Sequence, residues 1–205
     1  MIVRRGQRKP EATDLLASIA REVRSGVQLI SQLLGSTAED RAALREQLLG
    51  FEGRAVDLHF NLMTHIRSVF VTPLPRQDIY ALSQQLNRTM EHVVAAGDLI
   101  LARPHLVLPT ESADQLETLS RQLDLTVAAM SRLEDFDLLE DYWIQMQRLT
   151  KQANRTHRAW VTSTDNAFQP NIALQQAQIA DALLAAVQDQ RAVAVTAGSI
   201  IVRES

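Results

Sequence analysis

The stretch that decides the fold is FVTPLPRQDIYALSQQLNRTMEH, residues 70–92. A helical pattern stops at Thr72-Pro73 and restarts within a few residues. The residue before a proline is pushed out of the helical region, whereas Pro75 is tolerated in a first helical turn, where its missing N–H costs nothing. The stretch therefore reads as a corner between two helices. Beyond it, Asn87, Arg88 and Glu91 stand beside apolar Leu86 and Met90, a polar strip that calls for an explanation.

Outward from this corner, apolar residues recur at spacings of three and four and define six helices. The first runs from Ala12 to Leu34, with Leu16, Ile19, Val23 and Ile30 on its stripe and Gly35 as its stop. Ser36 and Glu39 form an S-x-x-E capping pattern that opens a second helix of about 34 residues, ~50 Å long at 1.5 Å per residue, ended by Pro73. The third helix buries Ile79, Leu82, Leu86, Met90, Val93 and Ile100, and Pro104 and Pro109 close this half. Ser112 with Gln115 caps a fourth. Asp137 caps a fifth, whose stripe includes Trp143, Met146, Ala153 and Trp160; after TSTDNAFQPN (162–171) a sixth carries Ile179, Leu183, Val187, Ala194 and Ile201. The expected fold is all-α: a flexible basic N-terminus, 1–11, then six long antiparallel helices in two three-helix bundles, at approximately 12–104 and 110–205.

Composition limits the chemistry. With 205 residues, 46% apolar and 22% charged, the chain lies in the ordinary globular range and can bury a core. A net charge of -3, with no cluster of basic and aromatic residues, argues against nucleic acid as a partner. The lack of cysteine excludes thiol catalysis, disulfides and iron–sulfur clusters. The basic start, MIVRRGQRKPEA, is not followed by the apolar segment of an export signal, and the apolar run at 179–187 is about half the ~20 residues a membrane span needs. A soluble, cytoplasmic protein is expected, with peripheral contact at the inner membrane face as the most that Arg4, Arg5, Arg8 and Lys9 would support. No Gly-rich phosphate loop, nucleophile arrangement or helical Glu-x-x-His spacing occurs, so no enzyme is expected and no cofactor is assigned.

Four pairs spaced i, i+4 share one flank, each member immediately following a core-stripe residue: Glu52 with Val56, Asn87 with Glu91, Thr150 with Asn154, and Leu184 with Gln188. Within each half the pairs lie 35 and 34 positions apart, and the halves are offset by 98 and 97, as a duplicated helical hairpin would leave them.

The residues around these pairs resemble a family. FVTPLPRQDIYALSQQL is similar to the F-[IV]-T-P-x-x-R-x-D-I-x-x-L signature of PhoU-like proteins, in the branch called "domain of unknown function forty-seven". DYWIQMQRLTKQANRTHR (141–158) resembles that branch's E-Y-W-I-x-x-x-R-L-E-x-x-A-D-x-x-H-R segment, and IIVRES (200–205) resembles its ending. The resemblance implies two three-helix bundles and a non-enzymatic accessory or regulatory role in inorganic phosphate transport through protein contacts, with a phosphate transporter as partner. It also implies paired carboxylates that hold metal ions, since acids one helical turn apart can share a hard cation. Here only Glu52 and Glu91 keep an acid at the eight positions, so the metal motif is degenerate and no metal is expected. Asp57 and His59 are weak candidate ligands. Arg88 is read as a fixed charge standing in for a lost cation, paired with Glu52 or Glu91. Two alternatives stay open: a metal or small-ligand sensor with one mononuclear site around Glu52, Asp57, His59 and Glu91, and a self-associating helical module, a homo-oligomer.

Overall fold

The computed structural model describes residues 11–37, 39–72, 74–165 and 170–204, except for the side chains at 164, 165 and 204. The basic start and Pro73, both singled out from the sequence, lie outside the described residues. Six helices make up the fold: α1 (Ala12–Leu34), α2 (Arg41–Ser68), α3 (Arg76–Leu101), α4 (Thr110–Met130), α5 (Phe136–Asp165) and α6 (Pro170–Glu204). No strand occurs among the described residues.

The periodic stripes become the core. Leu48, Ala55, Leu62 and Ile66 are the buried apolar residues of α2, a narrow seam on an otherwise exposed helix. On α1, by contrast, twelve positions from Ala12 to Leu33 are buried, because neighbours cover it on several sides. The packing matches this difference. Helices α1, α2 and α3 touch one another, as do α4, α5 and α6; the two sets meet through α1 against α4, α3 against α6, and nowhere else among the described residues. Thus α2 and α5 are outer helices, and α1, α3, α6 and α4 form an inner ring.

One helix approach depends on a missing side chain. A Cβ added at Gly97 of α3 would run into Leu48 of α2 and Ile30 of α1, both fully enclosed, so glycine allows three helices to converge there. Gly53 of α2 has open space where its Cβ would be.

Several boundaries differ from the sequence reading. α2 spans 28 residues, beginning at Arg41 and ending at Ser68, four residues before Thr72. The expected Ser36 cap does not form, because the Ser36 hydroxyl donates to the Leu33 carbonyl (2.9 Å) and so closes the end of α1. Helix α4 begins at Thr110 after the extended Pro109; Ser112 is inside its first turn, where its hydroxyl donates back to the Pro109 carbonyl (2.6 Å). At α5 the cap is Asp135, whose carboxylate accepts the Leu138 N–H (3.1 Å), two residues before the expected Asp137. Trp143, placed in the core from its spacing, is 41% exposed.

Candidate functional site

The corner motif is a clasp. The Arg76 guanidinium reaches back to the Val69 carbonyl (2.8 Å), and the Thr72 hydroxyl donates to the Leu74 carbonyl (2.7 Å), so polar groups within the motif fix the turn between α2 and α3. Asp78, buried in the first turn of α3, accepts a hydrogen bond from Arg203 in the last turn of α6. Two segments far apart in sequence, the corner and the C-terminal ending, meet in that bond.

It is the first rung of a polar ladder along the α3–α6 seam. Residues 78, 85, 92 and 103 of the ascending chain meet 203, 196, 189 and 178 of the descending one. The Gln85 amide donates to the Thr196 hydroxyl at 3.0 Å, His92 Nδ1 donates to Asp189 Oδ2 at 2.7 Å, and Arg103 donates to the Gln178 side-chain oxygen at 2.6 Å. The first three rungs are seven residues apart on both helices, the repeat that keeps two antiparallel helices facing each other.

A buried chain leaves this ladder for the opposite half. Gln190 donates its amide to the Thr89 hydroxyl (2.9 Å) and accepts from the Thr126 hydroxyl (2.8 Å), and Tyr142 lies 3.0 Å from that same Thr126 oxygen. Burial pushes the Tyr142 phenol well above its ordinary range, so it stays neutral and available as a donor. Polar groups enclosed in a helical core cost free energy unless they are paired, and once paired they accept only one helix register. These side chains therefore fix how α3, α4, α5 and α6 lie against one another.

The strip at Asn87, Arg88 and Glu91 now has its neighbours. Arg88 does not pair with Glu52 or Glu91: its guanidinium is 3.4 Å from Asp189 Oδ1, and Asp189 is 8% exposed against 60% for Arg88. The α6 partner escaped the sequence reading because Asp189 immediately follows Gln188, one of the pair positions, and was not itself on the flank considered. Asp189 is the buried acid of the region, with His92 as its hydrogen-bond donor and Arg88, spaced i, i+4 from His92 on α3, as its ion-pair partner.

In the second half the pair positions are tied together by neutral groups. The Thr150 hydroxyl accepts from the Gln122 amide (3.2 Å), Asn154 donates to the Thr150 carbonyl (2.7 Å), and Gln188 donates to the Asn154 side-chain oxygen (3.4 Å). The first half is not drawn together in this way. Val56 is 53% exposed and Glu91 is exposed, while Glu52 is half-buried; no hydrogen bond or ion pair joins these to one another or to Asn87. Among the described residues no three His, Asp or Glu side chains converge as metal ligands, and Asp57 points outward, roughly 100° around the helix from Val56. His59 is half-buried with an unpaired Nδ1, and burial holds its pKa below the usual histidine range.

These features define an all-helical molecule in which two three-helix sets share an inner ring. The solved structures it is similar to have the same architecture. A PhoU-like protein from Shewanella oneidensis MR-1 superposes with a TM-score of 0.79 at 13% identity, covering 93% of this chain and 99% of that one. A second structure from that organism, named for a PhoU-like phosphate regulatory protein, gives 0.79 at 13% identity over 97% of this chain and 99% of that one. The fold is therefore PhoU-like along nearly the whole chain. No protein-family model matches the chain, and no curated protein matches it.

Proposed function

We propose that this protein is a non-enzymatic, PhoU-like accessory of inorganic phosphate transport that works by contact with a transporter on the cytoplasmic side of the membrane. The observation that carries the reading is the fold shared over 93–97% of the chain with PhoU-like structures, one of them named for phosphate regulation. The corner and ending motifs support it further: the residues that gave the sequence resemblance, Arg76 and Asp78 together with Arg203, are those that clasp the corner and close the α3–α6 seam.

Contact rather than catalysis is supported by the surface and by the site. Leu49, Val56 and Phe60 project from the outer helix α2 with 47%, 53% and 73% exposure, an apolar stripe suited to a protein partner. The eight pair positions are read as the remnant of two ion sites in a chain duplicated at about 12–104 and 110–205. Neutral amides and hydroxyls occupy the second site, and Arg88 with His92 answers the one buried acid beside the first. No described helix is long and apolar enough to cross a membrane, so membrane contact would be peripheral, through the partner.

The experiment is co-purification of the tagged chain with membranes from cells grown in low and in high phosphate. Recovery of a multi-span phosphate permease in a phosphate-dependent amount supports the reading; a chain that stays unassociated in both conditions refutes it.

A further inference from the structure

We propose that a cavity at the end of the molecule carrying the α1–α2 turn binds a small tetrahedral oxyanion of the phosphate type, held by Arg41 and Arg103. The cavity, about 280 Å³, is bounded by the end of α1, the start of α2, the end of α3 and the connection into α4. Its walls are mostly Leu, Ile and Val, with two guanidinium groups and no carboxylate. This inference stands on the cavity alone and does not need the transport reading.

Nε and Nη1 of Arg41 are shielded from solvent and have no hydrogen-bond partner. Arg41 is half-buried, and guanidinium donors enclosed beside apolar walls without an acceptor cost free energy. Arg41 also enters no ion pair among the described residues. Arg103 donates to the Leu99 carbonyl (3.2 Å) and to the Gln178 side-chain oxygen (2.6 Å), both neutral, so no protein anion is paired with it among the described residues. Those two bonds use two of its five donors.

Two guanidinium forks brought to one cavity, one from the start of α2 and one from the connection after α3, match an anion with three or four oxygens. A carboxylate offers two oxygens, which a single fork already occupies. Water could satisfy the donors but would leave both charges uncompensated. The cavity also reaches Leu108 and Ser112 around the start of α4, where the helix dipole adds positive potential. A volume of about 280 Å³ is several times the roughly 30 Å³ that one water occupies in the liquid, leaving room for the oxyanion with waters or a small organic substituent.

The test is calorimetric titration of the full chain with inorganic phosphate and, in a second arm, with glycerol phosphate, each against sodium chloride at equal ionic strength. Saturable binding is expected in at least one arm. Binding in the second arm only would identify the ligand as a phosphomonoester within the proposed class. Arg41→Gln should weaken the binding about tenfold or more, Arg41→Lys should weaken it less, and Arg45→Gln, one turn along on the exposed side, should leave it unchanged. Hydrogen exchange on the wild-type chain is free of any folding defect in the variants: ligand should slow exchange across 100–112. Absence of saturable binding in both arms, binding undiminished in the Arg41→Gln, Arg103→Gln double variant, or unchanged exchange at 100–112 would overturn the proposal.

Discussion

Asp78, in the first turn of α3, accepts a hydrogen bond from Arg203, in the last turn of α6. The acid is nearly enclosed, at 9% exposure, while the arginine is half exposed at 49%. That asymmetry sets what each substitution does. Arg203→Ala leaves a buried carboxylate unpaired and should lower stability by about 1–3 kcal/mol, whereas Asp78→Asn, which keeps an acceptor, should cost less. Urea unfolding of the two variants and their double mutant checks this; equal losses would mean the pair is screened like an ordinary surface contact.

Asp189 has two partners on α3, the hydrogen-bonded His92 and the ion-paired Arg88, and its loss of both should be far from additive. Arg88→Ala alone should change stability by about 0–1 kcal/mol, since the guanidinium is mostly exposed and His92 remains on the carboxylate. Replacing Arg88 and His92 together strands the buried acid and should cost about 3–5 kcal/mol. A double-mutant cycle by chemical denaturation reads the difference, and a double loss equal to the sum of the single losses would refute the shared role.

The two glycines inside outer and inner helices should respond in opposite directions. Gly97→Ala forces a methyl group against enclosed Leu48 and Ile30, with an expected loss of about 1–3 kcal/mol. Gly53→Ala meets nothing and should gain about 0.5–1 kcal/mol from helix propensity. Thermal melts distinguish the two directly.

His59 predicts a pH effect. Burial depresses its folded pKa below the ordinary histidine value of 6.5, so the unfolded chain takes up the proton first. Stability contributed by neutral His59 is present above pH 6.5 and is lost as the pH falls from there toward the folded value. His59→Gln should flatten the stability profile between pH 7 and pH 5, as measured by midpoint of urea unfolding.

The fold could be read from the sequence because apolar spacing and core burial report the same physics. Ile79, Leu82, Leu86, Met90 and Val93 were assigned to the core by periodicity, and all are buried. Helix ends were less readable: Ser36 and Ser112 have the right side chains for caps, but a hydroxyl can serve a preceding carbonyl as readily as a following N–H, and both do so. The seam was the least readable feature. Thr89, Thr126, Asp189 and Gln190 are polar residues that look like surface until the opposing helix is in place, and a heptad of polar residues leaves no hydrophobic signature. Periodicity likewise could not show that Val56 faces outward, because the flank of a stripe is covered or open according to the neighbour across it.

The most direct test is quantitative recovery of the tagged protein with the membrane fraction, combined with photo-cross-linking from a benzophenone-bearing residue in place of exposed Phe60 of α2. A single multi-span phosphate permease is expected as the cross-linked species, in a proportion that shifts between phosphate-poor and phosphate-rich growth. A chain found only in the supernatant at both phosphate levels, or cross-linked solely to copies of itself, would contradict it.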